Sequence, residues 1–322
     1  MSQTAKNTAG TPVTYKNFAR AETDTMFQSF VDKGAFGKVV NIHQPTPIDK
    51  QNVVRMNRDT LYSFLILDLT SPATITKPDG GKRFQSMQVV NEDEYTPLVA
   101  YKGGDYTLTQ DKMGTRYVFV VFRTLADATD PDDIKAANAL QDEIKVAQDS
   151  PGNFEVPSWD KASHDKVRSA VKVLADTMVN TNGCFGPKDK VDPVKFLLGV
   201  AYGWGGNPVE DAMYVGVTPD GNDGKTPFTL TVKDVPVDGF WSISLYNGEG
   251  YFEENKYDSY SVNNLTATKD SDGSITIHFG GDPSASNFLY IMDGWNYLIR
   301  LYRARPDVIN GTWKFPEPQP VK

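Results

Sequence analysis

The sequence predicts a mainly β protein built from an N-terminal β sandwich, a helical connector and a C-terminal jelly-roll-like β sandwich. Three observations predict it. Short β-branched and aromatic runs recur from Val53 to Thr124, the apolar period becomes helical after Asp130, and the strand pattern returns after Gly205. The 322 residues exceed the roughly 100–200 usual for one domain, so more than one core is expected. The divisions fall at 13–128, 129–205 and 206–322, after a flexible tail over 1–12.

In the first unit, Leu61 to Leu69, Phe84 to Val90 and Tyr117 to Phe122 read as strands. Pro78-Asp79-Gly80-Gly81 and Lys102-Gly103-Gly104-Asp105 separate them, with glycines that allow the positive φ of a tight reversal. Asp130-Pro131-Asp132-Asp133 is a helix start, with a capping carboxylate, a proline at the first position and acids at the positive end of the dipole. That helix is expected to reach about Gln148. Val167, Ala170, Val171, Leu174 and Met178 form one apolar stripe, predicting a second helix from about Asp160 to Val179, and Asp192-Pro193 opens a third. Beyond Gly205, strands are expected near 212–217, 226–233, 239–246, 274–279, 287–292 and 297–303. The tail Phe315-Pro316-Glu317-Pro318-Gln319-Pro320 cannot join a sheet interior, because proline has no amide donor.

Composition removes whole classes of function. Lys and Arg number 33 against 41 Asp and Glu, a formal charge of −8, and the basic residues are scattered. Nucleic acid and anionic membranes need concentrated positive charge, so both are poor partner candidates and no nucleic acid is expected. The longest apolar run, Tyr117 to Phe122, is far below the ~20 residues that span a bilayer. A single cysteine, Cys184, permits neither an intrachain disulfide nor a cysteine zinc cluster. The N-terminus lacks the apolar core of a secretory signal, so the expected location is cytoplasmic, or periplasmic if a signal was removed before Met1. The remaining partners are a small molecule or glycan, and further copies of the chain in a homo-oligomer.

Most motifs have bland explanations. His43, His164 and His278 are far apart and show no metal-binding spacing. Asp220 to Thr226 ends like a phosphate loop, but Pro219 stands where its first glycine belongs and no helix follows, so it reads as a hairpin turn. Ser169-Ala170-Val171-Lys172 lies in an amphipathic helix without accompanying motifs, and Cys184 has no nearby base. Neither a metal nor a cofactor is expected.

Two clusters are more informative. Asn57-Arg58-Asp59-Thr60-Leu61-Tyr62-Ser63 leads polar residues into an apolar strand, and alternation sends Asn57 and Asp59 to one face, Arg58 and Tyr62 to the other. The bland reading is an Asx turn with an Arg–Asp pair. In the C-terminal unit, Tyr202-Gly203-Trp204-Gly205-Gly206-Asn207, Phe240-Trp241-Ser242-Ile243-Ser244-Leu245-Tyr246 and Arg300, between Ile299 and Leu301, place aromatics beside an arginine that is costly to bury alone. Here the bland reading pairs Arg300 with Glu210 or Asp211.

At these residues the chain resembles the bacterial and viral proteins that pair the domains of unknown function 1254 and 1214. Asn57 to Ser63 and Arg116 to Thr124, followed by the Asp130-Pro131 helix, mark the first module. Phe240 to Tyr246, Asp272 to Ile277, Leu298 to Tyr302 and Asn310-Gly311-Thr312-Trp313 mark the second. The resemblance implies a β sandwich, a helical unit and a C-terminal jelly roll, and no established chemistry. Where relatives carry an N-W-L-P-A-P type string, this chain has Asn287 to Asn296, so its ligand need not match theirs. Many relatives also carry export signals that this sequence does not show.

These readings lead to an expected cofactor-free, hydrolase-like enzyme acting on a small organic molecule between the β units. Asp59 is the general acid or base and Tyr62 a proton donor or hydrogen-bonder. Asn57 contacts the ligand, Arg58 and Arg300 hold an anionic group, and Trp241 and Tyr246 form the walls. The rival readings are a non-catalytic glycan or small-ligand binding module and a structural or virion-associated jelly roll. All three depend on whether Asn57 to Tyr62 meets Trp241, Tyr246 and Arg300 at one cavity.

Overall fold

The computed structural model describes residues 10–51 and 53–321. Its first unit runs from α1 (Phe18–Asp32) through β1 (Val40–Asn41), β2 (Thr60–Asp68), β3 (Ala73–Lys77), β4 (Gln85–Asn91), β5 (Leu98–Ala100), β6 (Gly104–Leu108), α2 (Gln110–Met113) and β7 (Tyr117–Leu125). β7 is buried at every position because both of its faces are covered. Val118, Val120 and Phe122 enter the sandwich core, while Tyr117, Phe119 and Val121 meet the aromatic side chains of α1. This explains a continuous apolar run in an antiparallel strand, where one-sided burial would give alternation. The five-stranded sheet has the order β1-β2-β7-β4-β5.

Next come α3 (Pro131–Asp142) and β8 (Lys145–Gln148). Asp130 caps α3 by accepting from the Asp132 amide at 2.9 Å, as its sequence predicts. The helix stops at Asp142, short of the expected Gln148, because residues 145–148 pair with β3 and complete the three-stranded sheet β6-β3-β8. Gln148 Nε2 then donates to the carbonyls of Asp68 and Ser71 at 2.6 and 2.7 Å. Tertiary pairing has overridden local helix propensity.

The sequence also did not announce α1, whose buried face includes Glu22, Thr23 and Asp24, so no apolar stripe marks it. Of the expected tail, residues 1–9 lie outside the described residues. Thr11 is tied down instead, its amide donating to Ser158 and its carbonyl accepting from Asp160. The helical segment continues as α4 (Lys161–Ala175) and α5 (Pro193–Gly203), capped by Asp160 and Asp192. They bury Val171, Ala175, Leu198, Val200 and Ala201 with Phe18 and Ala21 of α1. Leu174 of the expected stripe is exposed, and α4 ends at Ala175, before Met178.

The last unit contains β9 (Ala212–Val217), β10 (Phe228–Val232), β11 (Trp241–Tyr246), β12 (Ser261–Asn263), β13 (Ile275–Phe279), β14 (Phe288–Leu289), β15 (Asn296–Tyr302), α6 (Pro306–Ile309) and β16 (Gln319–Pro320). Its eight strands form two sheets of four, β12-β11-β15-β9 and β14-β13-β10-β16. The proline-rich tail supplies β16, an edge strand, where a missing amide donor leaves no interior ladder bond unmade. The 220–226 segment is a turn closed by Asp223, which accepts from the Lys225 and Thr226 amides.

Strand alternation in the sheet of β11, β15 and β9 positions everything that follows. Trp241, Ile243, Leu245, Tyr297, Ile299, Leu301, Met213, Val215 and Val217 face the sandwich core. Ser242, Ser244, Tyr246, Arg300, Tyr302 and Tyr214 therefore occupy the outer face. That face is buried against the first unit. Arg300, 2 % exposed, donates to Ser244 Oγ at 2.7 Å, Tyr246 OH at 2.8 Å and the carbonyls of Arg55 and Met56 at 2.7 and 3.2 Å. Burial opposes its charge, but Tyr246, Tyr302 and Asp59 outweigh burial and hold it firmly protonated. Arg300→Met would leave these acceptors without a donor. We expect it to lower the unfolding free energy by about 3 kcal/mol, read from urea denaturation.

Candidate functional site

β2 begins at Thr60, so Asn57 to Asp59 precede the ladder and the expected alternation does not extend to them. Asn57 forms an Asx turn instead, its Oδ1 accepting from the Asp59 amide at 2.9 Å. Its Nδ2 stands 3.1 Å from Thr60 Oγ1, 3.3 Å from Tyr62 OH and 3.0 Å from Tyr302 OH, so it bridges the two β units. Tyr62 lies directly across the ladder from Arg123, whose guanidinium sits 5.8 Å over its ring. Arg123 Nη1 donates to Gln88 Oε1 at 2.7 Å and reaches Asn207 Oδ1 at 3.3 Å. Asn207 Nδ2 in turn donates to Tyr214 OH at 3.1 Å. Burial among these groups pushes the Tyr302 hydroxyl well above the ordinary tyrosine pKa. This network is paired throughout and closed, which suits it to joining units.

Asp59 differs. The residue is 1 % exposed, and among the described residues neither carboxylate oxygen makes a well-formed hydrogen bond, although the Ser242, Asn263 and Ser261 side chains lie near it. Ser242 Oγ, on the facing strand, is also buried without a partner. Burial pushes the Asp59 carboxyl above its usual range, while the charge of Arg300 and the side chains of Ser242, Asn263 and Ser261 pull it back only in part. Burial of a carboxyl that its neighbours satisfy only in part opposes the charged form, which is the direction of the shift.

Asp59 and Arg58 lie on the wall of a cleft of about 620 Å³ between the units, bounded by residues 126–129 on one side and 257–268 with Asn287 and Phe288 on the other. Arg58 donates to the Thr46 carbonyl and lies 5.4 Å over the Tyr260 ring. Burial lowers its pKa, opposed by Tyr260, Asp258 and Asp59. The lining is mainly polar and includes Ser259, Ser261, Asn263 and Thr266. Two aromatic rings also line it, Tyr257 standing 5.3 Å from Phe288, with Tyr290 behind at 6.0 Å from Tyr257.

The structure thus brings together Asn57, Arg58, Asp59, Tyr62, Tyr246 and Arg300 at one seam, and leaves Trp241 out. Trp241 points into the sandwich core against Phe315, 5.4 Å away, so it is no wall of the cleft. Its separation of five residues from Tyr246 already puts the two on opposite faces of one strand. Arg300 pairs with neither Glu210 nor Asp211. Asp211 accepts from Tyr101 OH at 2.7 Å instead. Tyr246 donates to the Met56 carbonyl at 2.8 Å and is fully buried, so it holds the seam and does not line the cleft. Tyr62 and Asp59 share Asn57 but face different surroundings. Gln88, Tyr214 and Asn263 were not singled out in the sequence, and Asn207, Ser242, Arg123 and Tyr302 stood within informative strings without a role assigned to them. The available signal was the period of two in Ser242-Ser244-Tyr246 and Arg300-Tyr302, which marks a second, polar face that is also buried. Cys184 is buried and donates to Met178 Sδ at 3.8 Å.

Two family models match the chain, each described as a protein of unknown function: DUF1254 over residues 36–148 and DUF1214 over 211–306. No curated protein matches. Among solved structures, the VPA0106 protein of Vibrio parahaemolyticus is similar with a TM-score of 0.73 at 19 % identity, over 96 % of this chain and 98 % of that one. An uncharacterised protein of Burkholderia cenocepacia is similar with a TM-score of 0.53 at 12 % identity, over 95 % of this chain and 86 % of that one. At these identities the likeness concerns the fold.

The raised pKa of Asp59 fixes how stability depends on pH. An unfolded aspartate loses its proton near pH ~3.9, whereas the folded one keeps it to higher pH. Between those values the folded state binds more protons, so Asp59 weakens the fold as pH rises across the window. Asp59→Asn removes the effect. It should raise stability by about 0.5–2 kcal/mol at pH 7, with the gain shrinking toward zero near pH 4, as thermal melts of both proteins at the two pH values would report.

Proposed function

The chain belongs to the family that pairs the domains of unknown function 1254 and 1214, and on the geometry of this member we propose a cofactor-free, hydrolytic acid–base site for a small, hydroxyl-rich molecule in the cleft between the β units. The observation that carries this reading is the Asp59 carboxyl, buried on the cleft wall with both oxygens unpaired. A group left without donors and biased toward its neutral form is suited to giving a proton to a substrate oxygen. Ser261, Asn263 and Thr266 supply the donors and acceptors that hydroxyls need, and Arg58 offers a positive charge at the same wall.

In the reaction, Asp59 delivers its proton to the leaving oxygen as the bond to that oxygen breaks. The oxygen of a water molecule bonds to the electrophilic carbon, and a proton of that water returns to the Asp59 carboxylate. Tyr62 and Tyr246 act on this chemistry through the seam, by holding Asn57 and the Met56 carbonyl in place.

A second reading, binding without chemistry, is favoured by the Tyr257 and Phe288 rings lining the cleft, since such a surface accepts the apolar face of a sugar. Incubation with 4-nitrophenyl glycosides and 4-nitrophenyl esters separates the two. The hydrolytic reading predicts nitrophenolate release that falls by at least about 100-fold in Asp59→Asn and declines as pH rises through the raised Asp59 pKa. Release that is insensitive to Asp59→Asn would remove the mechanism, and a glycoside-induced thermal shift without release would select the binding reading.

A further inference from the structure

We propose that a second cleft, between the helical segment and the C-terminal sandwich, binds a small amphipathic organic anion: a carboxylate carried on an apolar body. The cleft holds about 470 Å³, within the ~300–1,000 Å³ of small-molecule sites. Its walls include Val54, Met178, Val179, Tyr202 and Leu298. Three of these, Val54, Val179 and Tyr202, are 57 %, 97 % and 56 % exposed, so the mouth is an apolar surface over which none of the described residues packs. The walls suit a hydrocarbon, whereas the cleft beside Asp59 is lined mainly by polar groups.

Arg55 supplies the second requirement. It lines the same cleft, and among the described residues its buried Nη1 has no hydrogen-bond partner. Among the described residues no carboxylate lies within ion-pair distance of it. A buried guanidinium donor costs free energy until an acceptor meets it, and a carboxylate is the acceptor whose shape and charge match it.

The backbone of Arg55 is held in place from both sides. Its φ is +52°, in the left-handed region that side-chain-bearing residues rarely adopt. Its amide donates to the Gly250 carbonyl at 2.7 Å, and its own carbonyl accepts from Arg300 Nη2 at 2.7 Å. The guanidinium stands 5.8 Å over the Tyr246 ring. Strain at a residue pinned this firmly, with a free charged donor at its end, is the arrangement of a ligand clamp. A single guanidinium with apolar surroundings fits a monoanion better than a phosphate dianion, which needs more donors. None of this depends on Asp59 or its chemistry.

Decanoate is the probe, with decan-1-ol as its uncharged counterpart and the full chain labelled with ¹³C at its methionine methyl groups. Met178 lines this cleft, whereas Met213 lines a separate apolar groove of the C-terminal sandwich. The expected result is a saturable shift of the Met178 methyl signal with decanoate, none at Met213, and weaker binding of decan-1-ol. Arg55→Met should weaken decanoate binding at least about tenfold. Val179→Asp, at an almost fully exposed position, should weaken it several-fold at low salt while leaving the melting temperature unchanged. The absence of a Met178 shift, a shift at Met213 alone, equal binding of decan-1-ol, or wild-type affinity in both variants would overturn the assignment. If Arg55→Met does not fold, Val179→Asp alone decides.

Discussion

The arrangement depends on one buried arginine. Arg300 lies on the outer face of a sheet, where a charge has no water to satisfy it, and every donor it extends must find an acceptor. It finds them in Ser244, Tyr246 and the carbonyls of Arg55 and Met56, the residues just ahead of Asn57. The fork holds that segment in register with the second unit. Asn57 is then placed to reach Tyr62 and Tyr302, and Asp59 to face Ser242 and the cleft.

A second polar seam joins the first sandwich to the helical segment. Trp159 Nε1 donates to Asp24 at 2.9 Å, and burial pushes that carboxyl up to about 7. Glu94, raised well above its usual pKa by burial, accepts from the Gly205 amide at 3.2 Å. His164 meets Glu22 at 2.7 Å. The units thus meet through buried polar groups at both junctions, while their separate cores are apolar. Such seams specify one arrangement of the units, because misalignment would leave charges and amides unpaired. Asp59 stands apart among them because it lies on the wall of a cleft with neither carboxylate oxygen paired among the described residues.

Much of the fold was legible because strands buried on one or both faces carry runs of Val, Ile and Phe, and because Asp-Pro helix starts are chemically explicit. α1 escaped because its buried face carries Glu22 and Asp24, and β8 because a strand of four residues following a helix has no period of its own. At the site, the polar string before β2 and the isolated Arg300 both stood out against apolar surroundings. What stayed hidden was mostly long-range: that Arg300 would take backbone carbonyls in place of a carboxylate, and that Arg123 would pair with residues more than thirty positions away. Trp241 shows the opposite case, since strand parity alone separated it from Tyr246.

The account rests on an aspartate whose pKa burial raises at the edge of a polar seam. The most direct measurement is a ¹³C NMR titration of the side-chain carboxyl carbon, with Asp59 assigned by its loss in Asp59→Asn. The account predicts a midpoint clearly above the usual aspartate value of ~4. A midpoint at or below that value would mean the carboxylate is well satisfied in its charged form, and would contradict the role given to it here.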